Sequence, residues 1–250
     1  MEDDAVEREP QYAGQRAYFD AQFAAYDRYE LENWRVAYLD RLRTAGLFEA
    51  GPLVDVGVGG SGYTVIEAAR AGVPAIGCDL SLTGLRQARR FAESEGVGDR
   101  TTWACCSAEE LPLASGSCGA ALAIAVLEHV PDDDAALREL ARVLRPGGRA
   151  WVTVPHALGH ISPVFRAANR RHDRRLGHLR RYEAEELAAR AHDVGLKAVD
   201  VQFTGHAVKV LQLLAGRASG RLWWWCEAHD RRRAQQRRGS MQLSIVFTRA

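Results

Sequence analysis

Leu53-Val54-Asp55-Val56-Gly57-Val58-Gly59-Gly60-Ser61-Gly62-Tyr63-Thr64 decides how the chain is read: an apolar strand runs into a glycine-rich turn that opens a helix. Strand, turn and helix in that order present backbone N–H groups and a positive helix terminus to a ligand, and glycines let the backbone approach it closely. Gly57, Gly59 and Gly62 spell G-x-G-x-x-G, a pattern shared by dinucleotides and by other adenosine-bearing cofactors, so the surrounding chain must separate them. A tight turn with no ligand is the plain alternative. Asp55, a carboxylate set just before the turn, argues against it.

The 250 residues suffice for a sizeable core, and 47% hydrophobic with 26% charged residues is ordinary for a soluble globular protein. No apolar run reaches membrane-spanning length, and the acidic start Met1-Glu2-Asp3-Asp4 lacks the architecture of an export signal, so a cytoplasmic location is expected. Five cysteines, an odd number without C-x-x-C spacing, point to reduced thiols rather than zinc or disulfides, and no metal is expected. Formal charge is +1, yet acidic residues gather early and arginines late.

Outward from the glycine turn the chain alternates. A helix from Tyr63 to Ala71 stops at Gly72, and Val73 to Cys78 reads as a second strand ending at Asp79. Asp79 lies about 20 residues beyond the turn, where a carboxylate takes both hydroxyls of a ribose; capping the next helix is its alternative role, which Ser81 fills equally well. Further strands are expected at Thr101–Cys106, Ala120–Val126 and Ala150–Val154, with helices at Leu82–Glu95 and Asp134–Val143 between them. The fold class is therefore α/β, a Rossmann-like, mostly parallel sheet with helices on both faces. Residues 1–49 form a helical N-terminal cap whose aromatic stripe (Tyr18, Phe19, Phe23, Tyr26, Tyr29, Trp34, Tyr38) either packs on the first strand or covers the cofactor. Residues 50–250 form the main domain, with substrate-side segments at 156–182 and 205–239.

Five pieces in register, Val54-Asp55-Val56-Gly57-Val58-Gly59, Asp79-Leu80-Ser81, Ala108-Glu109-Glu110-Leu111-Pro112, Leu127-Glu128-His129-Val130 and Leu144-Arg145-Pro146-Gly147-Gly148, resemble the class I S-adenosylmethionine-dependent methyltransferases, in particular the small-molecule branch called type 11. The resemblance covers about residues 50–155. It implies S-adenosyl-L-methionine as cofactor, with Asp55 and the Gly57–Gly62 turn at the methionine moiety, Asp79 and Leu80 at the ribose, and Ser107, Ala108 and Glu109 at the adenine. Three departures stand out. Ser61 occupies the family's third turn glycine, with Gly62 positioned to replace it. Ser107 stands where an aspartate is usual, its hydroxyl still able to accept a hydrogen bond. Ala125 replaces the Asn or Asp found in enzymes that methylate base amino groups, which disfavours nucleic-acid bases as acceptors.

After the last parallel strand, Pro155-His156 leaves the sheet at the strands' carboxyl ends, where open α/β sheets bind ligands. Arg166, Arg170, Arg171, Arg174, Arg175, Arg180 and Arg181 crowd the next segment, which ends at Tyr182; it suits an anionic acceptor or is simply a solvated helix. A helix to Val194, a strand Leu196–Phe203 and a last strand Gln242–Thr248 complete the sheet. The insertion before the last strand holds Val208, Val210, Leu211, Leu213, Leu214 and then Trp223-Trp224-Trp225, three consecutive indoles that cannot all face one core. At least one is expected at a pocket, a partner surface or a peripheral membrane contact.

The sulfonium of such a cofactor activates its own methyl, so the protein's task is to align a nucleophile and exclude water. A hydroxyl or carbon acceptor also wants a base, and histidine titrates nearest neutrality. His156, at a strand tip, is the preferred base, with His129 as the other candidate and Tyr182 as a substrate contact; His160 and His178 are further possibilities. The expected activity is methyl transfer to a small molecule of natural-product, sugar or lipid-headgroup type. Rival readings are an inactive cofactor-binding relative that serves a partner, an RNA-directed methyltransferase drawing on the arginines, and, more remotely, a nicotinamide-dependent oxidoreductase, which would lack a Tyr-x-x-x-Lys pair here.

Overall fold

The computed structural model describes residues 12–206, 208, 211–212 and 219–250. The acidic start and the expected apolar residues Val210, Leu213 and Leu214 lie outside the described residues. Among the described residues the N-terminal preface comprises two helices, α1 (Ala13–Phe23) and α2 (Asn33–Thr44). Then follow β1 (Leu53–Val56), α3 (Tyr63–Arg70), β2 (Ala75–Asp79), α4 (Leu82–Ser94), β3 (Thr101–Cys105) and β4 (Cys118–Ile124). The second half comprises α5 (Asp133–Val143), β5 (Leu144–Pro155), α6 (Pro163–Leu176), α7 (Ala184–Asp193), β6 (Leu196–Thr204), α8 (Gly220–Arg231) and β7 (Gln242–Arg249).

The seven strands lie in the order β3-β2-β1-β4-β5-β7-β6. β1 through β5 are mutually parallel, and β7 runs antiparallel between β5 and β6. Every residue of β1 is buried, as a central parallel strand covered on both faces requires. The chain runs outward from β1 to β3 and returns to β4 on the other side, so strand order reverses between β1 and β4 and opens a crevice at their carboxyl ends.

Local chemistry sets the boundaries. Ser81 caps α4 by accepting the Gly84 N–H at 2.9 Å, and Asp132 caps α5 through the Ala135 N–H at 2.9 Å, with Asp133 and Asp134 in the positive first turn. Gly195, at φ +87°, ends the turn after α7 where a side chain would be strained. Arg145-Pro146-Gly147-Gly148 is drawn into β5: Leu144 pairs with Cys118 and regular pairing resumes at Arg149 and Ala120 across a bulge.

Two apolar layers sandwich the sheet. One joins Leu137 and Leu140 of α5 and Leu187 of α7 to β4, β5 and β7. The other joins Leu39 and Leu42 of α2, with Leu47, to Leu53, Val65 and Trp151. The stripe of the N-terminal segment thus divides: α2 packs beneath the first strand, while no residue of α1 is buried. On α8, Trp224 and Trp225 are exposed, and the buried Arg41–Glu227 pair at 2.7 Å fastens that helix to α2.

Candidate functional site

The crevice at the switch point is a cleft of about 690 Å³ including its open mouth, floored by Val56, Gly57, Asp79, Leu80, Ser107, Ala108 and Val126. Asp79 stands at the tip of β2 with one oxygen accepting the Gly59 N–H and the other the Ser81 N–H, both at 2.8 Å. These bonds fix the carboxylate's orientation and leave lone pairs for two further donors. Ser81 performs the cap, which frees Asp79 for the ligand. Burial pushes the Asp79 carboxyl up to about 6, opposed by its backbone hydrogen bonds, so it is ionised at neutral pH.

Asp55 is buried beneath the turn, where Oδ2 accepts from the Thr64 hydroxyl and Oδ1 has no protein partner. Burial raises it to about 7. A buried carboxylate oxygen without a donor is costly unless a cation or N–H arrives, and the α-ammonium of a methionine moiety is such a donor. The residues therefore fit S-adenosylmethionine: a ribose acceptor with two free positions, an orphaned carboxylate at the turn, and a shallow Ala108 floor.

Not every expected contact faces the cleft. Gly59 and Gly62 lie behind it: Gly59 donates to Asp79, and a Cβ on Gly62 (φ +58°) would sit 2.8 Å from both Ala88 and Trp103. Gly62 thus lets α3 pack on α4 and β3. Glu109 is turned away, with Oε1 accepting the Asp132 N–H at 2.8 Å and Oε2 the Tyr12 hydroxyl. Ser107 faces the cleft, its hydroxyl 3.3 Å from the Tyr12 hydroxyl.

The cover was only half legible in sequence. Tyr12 and the α1 residues Gln15, Arg16, Phe19 and Phe23 wall the cleft opposite the strand tips. Phe23 lies over Gly59, Gly60 and Gly84, each of which would meet its ring if given a Cβ. Asp20 of α1 accepts from the Ser81 hydroxyl, which anchors the cover to the ribose side. The glycines thus make room for an aromatic cover. The aromatic periodicity carried the signal for Phe19 and Phe23; nothing in the sequence paired Tyr12 with Ser107.

On the acceptor side the candidates separate. His129 lines the cleft with its ring 5.4 Å from that of Phe19; burial depresses it to about 4, so it is neutral at pH 7. His156, the preferred base, is fully buried away from the cleft: Nδ1 is 2.6 Å from the Ser240 hydroxyl and its ring packs on Phe203. Its strand-tip position is as expected, but the β7 end and the loop before it close over it. Tyr182 is also a correction, being 1% exposed with its hydroxyl donating to Asp133 at 2.7 Å. Asp133 also takes Arg180 and Arg190, so Tyr182 belongs to a structural network that fastens α5 to α7. Ala125, also in the cleft, holds φ at +57°, a strained conformation for a residue with a side chain, at the tip of β4.

A switch-point cleft with a glycine turn, a strand-tip carboxylate and an antiparallel seventh strand defines a Rossmann-like, adenosyl-cofactor class of α/β domain. Residues 54–152 match the family model described as a methyltransferase domain. The chain is 39% identical over 115 residues to methyltransferase GfsG of Streptomyces halstedii, covering 46% of this chain and 41% of that one. It is 38% identical over 121 residues to the ubiquinone/menaquinone biosynthesis C-methyltransferase UbiE of Syntrophotalea carbinolica, covering 48% of each. It thus spans under half the length of these curated relatives. Among solved structures, geranyl diphosphate C-methyltransferase from Streptomyces coelicolor superposes with a TM-score of 0.70 at 17% identity, over 97% of this chain and 99% of that one. The [4+2]-cyclase SpnF superposes at 0.64 and 21% identity, over 96% and 95%. Residues 54–152 thus form a methyltransferase domain of the kind that uses S-adenosylmethionine.

Proposed function

We propose that the chain transfers the methyl group of S-adenosylmethionine to a small-molecule acceptor bound between α1 and the tip of β4. The observation that carries this reading is Asp79, held by two backbone N–H groups at 2.8 Å at the mouth of the cleft, with the glycine turn beside it. The cofactor supplies an already activated methyl. Asp79 accepts both ribose hydroxyls, Leu80 packs beside the sugar, Ser107 and Ala108 border the base, and Asp55 offers its free oxygen to the ammonium. Phe19 and Phe23 exclude water from the transfer path. His129 is the candidate among the three predicted catalytic residues that meets the acceptor, through a ring that burial keeps neutral.

Arg170, Arg171, Arg174 and Arg175 lie exposed along α6, which supports an acceptor carrying an anionic group. Trp224 and Trp225, exposed near the arginine run that follows them, support peripheral contact with an anionic membrane; co-sedimentation with anionic vesicles tests it. The same α6 arginines favour one second reading, an RNA acceptor. The tRNA 5-carboxymethoxyuridine methyltransferase of Escherichia coli is 38% identical over 115 residues, covering 44% of this chain and 42% of that one. RNA affinity that falls steeply with salt would favour it, and a flat response removes it. The main reading is tested by incubating the chain with S-adenosylmethionine and panels of phenolic, sugar and carboxylate acceptors while following S-adenosylhomocysteine. Turnover lost in Asp79→Ala supports it; S-adenosylhomocysteine binding without turnover on any acceptor favours the inactive, partner-serving relative.

A further inference from the structure

Beside the cleft, two segments far apart in sequence meet. Glu128 and His129 sit on the short turn Leu127–His129 that follows β4, and His178 follows Gly177, whose left-handed conformation ends α6. The Leu179 N–H donates to the Glu128 carbonyl at 2.7 Å and ties the two together. One ligand atom from each of Glu128, His129 and His178 lies within 4.8 Å of the others, and the two imidazole rings are 4.8 Å apart.

Three features separate this cluster from chance proximity. Glu128 is 1% exposed and its Oε2 has no hydrogen-bond partner among the described residues; His129 Nδ1 is likewise buried without one there. His178 is also held through one ring nitrogen, its Nδ1 lying 2.9 Å from Asp173 Oδ1. Asp173 in turn receives Arg181 through two bonds of 2.8 Å. A carboxylate or carbonyl on the far nitrogen is the outer arrangement that orients metal-binding imidazoles.

We propose that Glu128, His129 and His178 form a binding site for one divalent first-row transition ion, with zinc, iron(II) and cobalt(II) as its ligand class. Two imidazoles and one carboxylate suit these ions, while magnesium and calcium prefer all-oxygen shells. Ligand atoms around a tetrahedral ion lie roughly 3.3 Å apart, as metal–ligand bonds of about 2.0–2.1 Å dictate, so the cluster must contract by up to about 1.5 Å. His129 is shared with the cleft, so the open coordination position faces the acceptor side. On the methyl-transfer reading, which this last point rests on, that position takes an oxygen donor of the acceptor.

A second group, His156, His160 and Glu183, also brings its ligand atoms within 4.8 Å. There Arg237 already donates to His160 Nε2 at 3.0 Å and pairs with Glu183, and Ser240 holds His156. A guanidinium in the cluster opposes a second cation, so this group serves as an internal comparison.

The test is titration of the full chain, stripped with chelator, with cobalt(II) and zinc against a chromophoric competitor, with the cobalt visible spectrum as a second readout. One ion per chain at micromolar or lower Kd, weakened at least tenfold in Glu128→Gln and His178→Ala and unchanged in His160→Ala, supports the site. Asp173→Asn is expected to weaken it about tenfold. No binding at 100-fold the competitor-limited range, or binding lost in His160→Ala and kept in His178→Ala, overturns it. A thermal shift with S-adenosylhomocysteine in each variant reports folding and cofactor binding independently, so failure of the metal site and failure of the methyltransferase reading are told apart.

Discussion

The two walls of the cleft are built differently. The proposed cofactor wall comes from strand tips, β1, β2 and the turn after β3, each with its cleft-lining residues within a few positions of a strand end. The proposed acceptor wall is assembled from α1 and the turn after β4, where Phe19 meets His129 across a long sequence distance. A wall made of local motifs is fixed by the sheet and varies little in geometry; a wall made of long-range contacts is free to be rebuilt for another acceptor. The same fold accordingly supports a C-methyltransferase and a cyclase among the solved neighbours.

That contrast is open to direct attack. Asp79→Ala removes a charged acceptor of two ribose hydrogen bonds and the anchor of the Gly59 N–H, and is expected to weaken S-adenosylhomocysteine binding roughly 10²–10³-fold by calorimetry. On the other wall, His129→Ala is expected to lower kcat about 10²-fold while leaving the S-adenosylhomocysteine Kd within about threefold. His156→Ala sharpens the comparison: removal of a buried, hydrogen-bonded ring is expected to cost about 1–3 kcal/mol, a fall in Tm of several degrees, with kcat of the folded protein retained. Equal kinetic losses in the two histidine variants would erase the distinction between them.

Asp55→Asn gives a smaller effect with a definite pH signature. The folded carboxyl is raised to about 7 from its ordinary value near 4, so the ligand-free fold gains stability from holding that proton. The gain is complete below about pH 4 and lost as pH rises through 7. Asn abolishes the titration, so ligand-free Tm is expected to rise by a few degrees at pH 8 and hardly at pH 5, while S-adenosylhomocysteine binds about tenfold more weakly. A Tm gain at pH 5 equal to that at pH 8 would contradict the assignment. Gly62→Ala should give the smallest functional change, with affinity held within about threefold and stability reduced by about 1–3 kcal/mol, because its Cβ meets Ala88 and Trp103 rather than the cofactor.

The parallel sheet, the role of Ser81 as cap and the cleft position of Asp79 were all legible, because periodicity, turn chemistry and strand-end carboxylates act over a few residues. His156 was misread for the opposite reason. A strand-tip position says where a side chain starts, while Ser240, Phe203 and the end of β7 decide whether it meets solvent. Tyr182 likewise ends a basic segment, yet Asp133, 49 positions earlier, takes its hydroxyl. The division of the aromatic stripe between a core helix and a cover helix depended on the break between Phe23 and Asn33, where no proline or glycine marks the sequence.

Asp79 is the proposed anchor of S-adenosylmethionine in the switch-point cleft. Isothermal titration of the full chain with S-adenosylhomocysteine, beside Asp79→Ala and with NADH as the rival ligand, tests it most directly. One site with Kd below about 100 μM is expected, with loss of measurable heat in the variant and none with NADH. Binding of NADH alone, or S-adenosylhomocysteine binding that survives Asp79→Ala unchanged, would contradict it.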